Sequence, residues 1–301
     1  DLSGTGLIEG TLPFYKCTFR NGQPSGYFLL LNNNQDVTLY DVDFPTNAGS
    51  GAVNIAKSQN SGNVYLPGAT GVFAGPAYEY DPNSRIQWPD AGIWEGDVSN
   101  AWHDPLNWHY DFQTPDAATD VIIPSGKPNY PHFSLQETTV RSLKMEPNTS
   151  LKINKDSLTV TTWTDLRGSL EMPVNYTALF TDSLVWQAGS SANLSNKSTI
   201  YISGDMFVKR GSNLNMVEGE FRFYGNGESK LICHDTAQIG SLTNYKNTPY
   251  SLNLMGDTLA RLTINGNFEN GPGATLKCPS TQDWVFNGNF KNTNSGHFRC
   301  S

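Results

Sequence analysis

The stretch Asn265-Gly266-Asn267-Phe268-Glu269-Asn270 recurs 22 residues later as Asn287-Gly288-Asn289-Phe290-Lys291-Asn292. The same offset holds just downstream, since Leu276-Lys277-Cys278 is matched by Phe298-Arg299-Cys300, and each triplet stands shortly after a glycine, Gly273 or Gly296. A repeat of this length is one supersecondary unit that cannot bury its own apolar face, so copies must stack. Further back, a leucine followed two residues later by Ile, Met or Cys appears at Leu151/Ile153, Leu170/Met172, Leu214/Met216 and Leu231/Cys233, with looser copies at Leu194 and Leu254. Read as one column running through 151, 170, 194, 214, 231, 254, 276 and 298, these positions are separated by 19, 24, 20, 17, 23, 22 and 22 residues.

Each unit reads as a short alternating strand after a Gly or Asn corner, with every second side chain on one face. Winding such units into a coil pairs each strand with its counterpart one turn later, in parallel, and stacks like side chains inside a tube. A leucine-rich repeat has a comparable period but needs a regular Asn-containing consensus that this stretch does not keep. The expected fold is therefore all-β: a right-handed parallel β-helix of about 22 residues per turn, in two coils joined by a Trp-rich junction. On this register Cys233, Cys278 and Cys300 occupy equivalent inward positions. They read as small buried hydrophobes, with Cys278 and Cys300 as neighbours.

Outward from the repeat, the chain divides into three. Residues 1–88 carry the end of an N-terminal coil, with Val37-Thr38-Leu39 running to Asp43-Phe44 as one turn and Cys17-Thr18-Phe19 as another. Residues 89–131 break the rhythm and gather Trp94, Trp102 and Trp108 with Pro and Gly, as a junction that covers open strand edges. Residues 132–301 form the second coil, and Asp120-Val121-Ile122-Ile123-Pro124 reads as the strand that starts it. The end at Ser301, just after a core cysteine, leads us to expect a truncated coil. With 28 Gly, 17 Pro and only 16% charged residues, the composition suits many turns. The net charge of -8 offers no basic face for nucleic acid, and no apolar run is long enough to span a bilayer.

Trp94-Glu95-Gly96, then Trp102, Asn107-Trp108, Pro115 and Asp120-Val121-Ile122-Ile123-Pro124 resemble a junction found repeatedly in very large surface proteins of Bacteroidetes, and Gly71 to Trp88 resembles the ending that precedes it there. The resemblance covers most of the chain at the level of motifs and spacing. It implies export by the type IX secretion system, a place at the cell surface, and a role in adhesion or gliding. Secretion machinery during export, and surface glycans or other cell-surface proteins afterwards, are the partners it implies. Asp156-Ser157-Leu158, Asp182-Ser183-Leu184, Asp235-Thr236-Ala237 and Asp257-Thr258-Leu259 are similar to Bacteroidetes O-glycosylation sites, which would modify Ser157, Ser183, Thr236 and Thr258. The alternative is an ordinary turn leading into a strand.

Chemistry is sparse in the sequence. No column of carboxylates on adjacent turns emerges, His103 and His109 fit no strong metal-ligand spacing, and no phosphate loop or nucleophile elbow is present. No cofactor or metal is expected. The expected function is a non-catalytic extracellular structural or adhesive scaffold. Two alternatives stand beside it: a carbohydrate-binding module that stacks sugars on Trp94, Trp102 and Trp108, with buried packing of those indoles as the competing reading, and a polysaccharide-active β-helix lyase or hydrolase.

Overall fold

The computed structural model of the chain describes residues 6–7, 14–15, 17–18, 27–31, 34–40, 42–45, 53–66, 69, 78–87, 91–108, 114–134, 137–212, 214–256, 260–278, 283–293 and 296–300. Phe19, residues 71–77 and Trp88 lie outside them. The chain is a parallel β-helix divided into two compact units, Asp1–Ala91 and Gly92–Ser301. The second unit begins at Gly92, and Trp94, Trp102 and Trp108 of the junction stretch pack into its core.

The first unit has two columns of parallel strands. In one, Leu29 stands in register with Ile55 and Ile55 with Glu79; in the other, Val37 pairs with Val64 and Val64 with Ile86. Thr18 bridges Asp43 in parallel, as expected of turns at Cys17-Thr18 and Val37–Phe44. Leu29, Leu31, Val37, Leu39, Val42, Phe44, Ile55, Val64, Leu66 and Ile86 are buried between the columns.

The second unit has three columns. Its first column begins at Asp120–Ile123 and Ser142–Met145, continues through Met206–Val208, Ser229–Cys233, Ser251–Gly256 and Thr275–Cys278, and reaches His297–Cys300. The second holds Ser150–Ile153, Ser169–Met172 and Ser191–Leu194, then, past an isolated bridge from Asn215 to Gln238, Ala237–Ile239, Arg261–Ile264 and Asp283–Phe286. The third runs through Thr199–Ile202, Glu220–Gly225, Ser241–Lys246, Phe268–Asn270 and Phe290–Asn292. Two long strands, Ser157–Leu166 and Ala178–Trp186, turn the corner from the third column into the first.

The leucine positions that read as one column in the sequence belong to two. Leu151, Leu170 and Leu214 line the second column, where Leu170 pairs with Ala192 and Leu194 pairs with Met172. Leu231, Leu254, Leu276 and Phe298 line the first. Both walls face the same tube, so both carry the same apolar alternation, and the short step of 17 residues from Leu214 to Leu231 is a passage between walls. Cys278 does pair with Cys300, but Cys233 stands in register with Val208 and Gly256. Cys233 is fully buried, and burial pushes its thiol up to about 12, as befits a small core hydrophobe.

The repeated Asn-Gly-Asn-Phe-x-Asn string is explained residue by residue by stacking. Asn287 donates to Asn265 (3.0 Å) and Asn289 to Asn267 (3.2 Å) on the exposed side. A Cβ on Gly288 would collide with the carbonyl of Gly266, so the corner admits no side chain. Phe268 and Phe290 stack with centroids 4.9 Å apart. The last asparagines form an inner ladder: Asn244 donates to Asn270 and Asn270 to Asn292, each at 2.8 Å, with further bonds to the carbonyls of Thr275, Ala274 and His297. Asn244 and Asn270 are fully buried, so water cannot replace a lost partner. Asn270→Ala is expected to cost about 1–3 kcal/mol in chemical denaturation, whereas Asn287→Ala, on the exposed ladder, should fall within about 0.5 kcal/mol of the parent; equal effects would contradict the inner ladder.

Candidate functional site

Three places in the second unit gather chemistry. The first is the tryptophan cluster. Its backbone closes the start of the coil: the Trp94 N–H donates to Ile122 (2.9 Å), the Trp102 N–H to His132 (3.1 Å), and Ala101 bridges His132 in parallel. Open edges of two columns are thus paired. Asn107 holds the loop by using its whole amide: its oxygen accepts from the N–H groups of Val98 and Ser99, and its nitrogen donates to Ser99 Oγ and the Ala101 carbonyl.

Trp94, Trp102 and Trp108 are all buried. Trp108 meets Trp94 and Trp102 edge to face, with centroids 5.0 and 4.9 Å apart, and Trp102 leans on Phe133. Their polar handles point inward too, Trp94 Nε1 to Asn129 O (2.7 Å) and Trp108 Nε1 to Trp102 O (2.8 Å). With the faces taken by one another, these indoles present no platform for a sugar. The structure gives them the packing role of a cap.

The second place is the corner from the third column into the first. Here the structure brings together carboxylates that the sequence reading missed: Asp182, Asp205 and Glu228 stand on successive turns. Their even spacing of 23 residues was the signal that could have found them, hidden because two fall outside any strand. Each clamps the following turn. Asp182 accepts from Ser203 Oγ (2.8 Å), Asp205 from the Lys230 N–H (2.8 Å), and Glu228 from Ser251 Oγ and Asn253 Nδ2 (3.0 Å), with Lys277 at 3.8 Å. Lys246 is buried behind them and ties three turns, donating to Ser203 O (2.6 Å) and Tyr224 O (2.8 Å).

Burial holds the Asp205 carboxyl above the usual range, although the Lys230 N–H bond opposes it. Burial likewise lowers the Lys246 ammonium. Glu228 goes the other way: burial works against its charge, but the Ser251 and Asn253 bonds and Lys277 outweigh it.

The third place is the outer face of the third column, where Phe180, Tyr201, the pair Arg222 and Tyr224, and Tyr245 project from four successive turns. Phe180 and Tyr201 stack at 4.4 Å, and the Arg222 guanidinium lies 5.4 Å over Tyr201 and 5.6 Å over Tyr245 while pairing with Glu220.

No family model, curated protein or solved structure matches this chain. Its chemistry therefore rests on these side chains alone. Among the described residues no group of three His, Cys, Asp or Glu is arranged to hold a metal ion, and no helix is long and apolar enough to cross a membrane. His103 packs on Phe133, and burial lowers its imidazole; His109 lies outside the described residues.

Of the O-glycosylation candidates, Ser157 opens a strand directly after Asp156, whose φ of 56° marks a turn. Ser183 lies mid-strand and donates to Asp182 (3.3 Å). Thr236 is exposed, and Asp235 before it accepts from the N–H groups of Thr236 and Gly211. Thr258 lies outside the described residues.

The raised Asp205 pKa has a definite sign. The folded chain keeps this proton to higher pH than the unfolded chain, so the associated stability is present at low pH and lost as pH rises through the folded value. Asp205→Asn preserves an acceptor for Lys230 without the charge. It is expected to raise the melting temperature at pH 7, with the gain shrinking below the ordinary aspartate range near pH 4. A variant less stable than the parent at pH 7 would contradict that environment.

Proposed function

We propose that the chain is a non-catalytic extracellular scaffold, a segment of a large bacterial cell-surface protein whose work is to hold or present surfaces at a distance. One observation carries this reading: the ionisable side chains best placed for chemistry are engaged in joining one turn to the next. Asp182, Asp205 and Glu228 each grip the following turn, and Lys246 spans back over two. A hydrolase or lyase needs an acid and a base free to reach a substrate. A rod needs its turns bolted along the axis, and that is where these bonds run.

The sequence resemblance supports an exterior location, type IX export from a Bacteroidetes cell and an adhesive or gliding role, with surface glycans or neighbouring surface proteins as partners and O-glycans at Ser157, Ser183, Thr236 and Thr258. The buried tryptophan cap, which pairs strand edges, and the inner asparagine ladder, which ties successive turns, support a structural role.

The reading is tested by incubating the purified chain with neutral and acidic polysaccharides and measuring new reducing ends and unsaturated products. The expected result is no product above a protein-free blank. Product that disappears in Asp205→Asn would overturn the scaffold and restore the enzyme. In the source bacterium, proteinase added to intact cells should degrade the protein; full protection would sink the surface location.

A further inference from the structure

We infer that Asn226 is a self-modification site, where the backbone nitrogen of Gly227 attacks the side-chain amide and the residue becomes aspartate or isoaspartate. The stretch Tyr224-Gly225-Asn226-Gly227-Glu228 makes the corner between the strand Glu220–Gly225 of the third column and the strand Ser229–Cys233 of the first. Asn226 is exposed there, between two glycines of positive φ, 80° at Gly225 and 112° at Gly227. A Cβ on Gly227 would find open space, so the backbone at this point stands clear of its surroundings.

The structure sets the three groups that react. The attacking group is the Gly227 N–H, and among the described residues nothing accepts a hydrogen bond from it. The leaving group is the Asn226 amide nitrogen, which likewise donates to no described residue. The electrophile is the Asn226 side-chain carbonyl, whose oxygen accepts from Asn247 Nδ2 at 2.9 Å. Negative charge develops on that oxygen as the nitrogen adds, and a donor already in place stabilises it. Asn247 is itself held, since its backbone N–H donates to Gly225 O (3.1 Å).

The step balances with water as its one co-reactant. The Gly227 nitrogen gives up its proton and bonds to Cγ of Asn226, the Cγ–Nδ2 bond breaks, and the amide departs as ammonia, leaving a cyclic imide. Water then opens the imide at either carbonyl. One opening gives aspartate, and the other routes the main chain through the side-chain carbon as isoaspartate.

Position, not the Asn-Gly pair alone, selects this residue. Asn265-Gly266, Asn270-Gly271 and Asn287-Gly288 carry the same pair. Asn265 also has a donor on its oxygen, from Asn287 (3.0 Å), but the Gly266 N–H is committed to Gly240 O (2.6 Å). The Gly271 N–H is committed to Asn244 O (2.8 Å), and Asn270 is buried. Asn287 has its leaving nitrogen engaged on Asn265, and Gly288 packs against the Gly266 carbonyl. This inference goes beyond the scaffold reading, and neither surface exposure nor polysaccharide cleavage bears on it.

Peptide mapping by mass spectrometry tests it, with the intact chain held at neutral pH and sampled over weeks for exchange of amide for carboxylate. We expect Asn226 to convert at least about tenfold faster than Asn265, Asn270 or Asn287. In guanidinium chloride the four rates should converge, because each asparagine then has only its glycine neighbour. Asn247→Ala should slow conversion at Asn226 about fivefold and leave the other three unchanged, with circular dichroism and melting temperature establishing that the variant is folded. The inference is overturned if Asn226 of the native chain converts no faster than the other three, if its lead persists in the denatured chain, or if folded Asn247→Ala converts as fast as the parent.

Discussion

Parallel strands repeat about every 4.8 Å along a coil, and each side chain must tolerate its counterpart at that distance above and below. Everything else in the second unit depends on this requirement. Asparagine meets it by donating its amide hydrogens to the next amide oxygen, as Asn244, Asn270 and Asn292 do. Phenylalanine meets it by stacking, as Phe268 does on Phe290. Like charges cannot meet it, and the outer rows show the remedy: Glu269 is followed by Lys291, and Arg222 is flanked by Tyr201 and Tyr245 rather than by another cation.

The same rule governs the corner. Three carboxylates on successive turns would repel one another if left in a bare column. Each instead accepts hydrogen bonds from the following turn, and Lys246 supplies a positive charge behind them. An arrangement that looks catalytic by residue type alone is, by its bonding, a series of axial clamps. The tryptophan cap answers the complementary problem at the start of the coil, where Ala101, Trp94 and Trp102 occupy backbone positions that a preceding turn would otherwise fill.

Much of this was legible because a stacked fold writes its period into the chain. The 22-residue repeat of Asn265–Asn270 declares the coil, since identical residues one turn apart stack well and each is constrained by the other. The strand at Asp120–Ile123 and the adjacency of Cys278 and Cys300 were also readable from spacing. The wall on which a leucine lies was not. Leu214 and Leu231 share a local pattern and differ only in where the chain has turned between them, and a corner leaves no periodic mark.

The sequence by itself determined the parallel β-helix, its period and the residues that fill it, because alternation and repetition act through neighbours along the chain and one turn away. Tertiary structure alone decided the fate of the polar and aromatic groups. It buried Trp94, Trp102 and Trp108 against one another and gathered Asp182, Asp205 and Glu228 at one corner. Burial and facing depend on which turns meet, and that is fixed only when the coil closes.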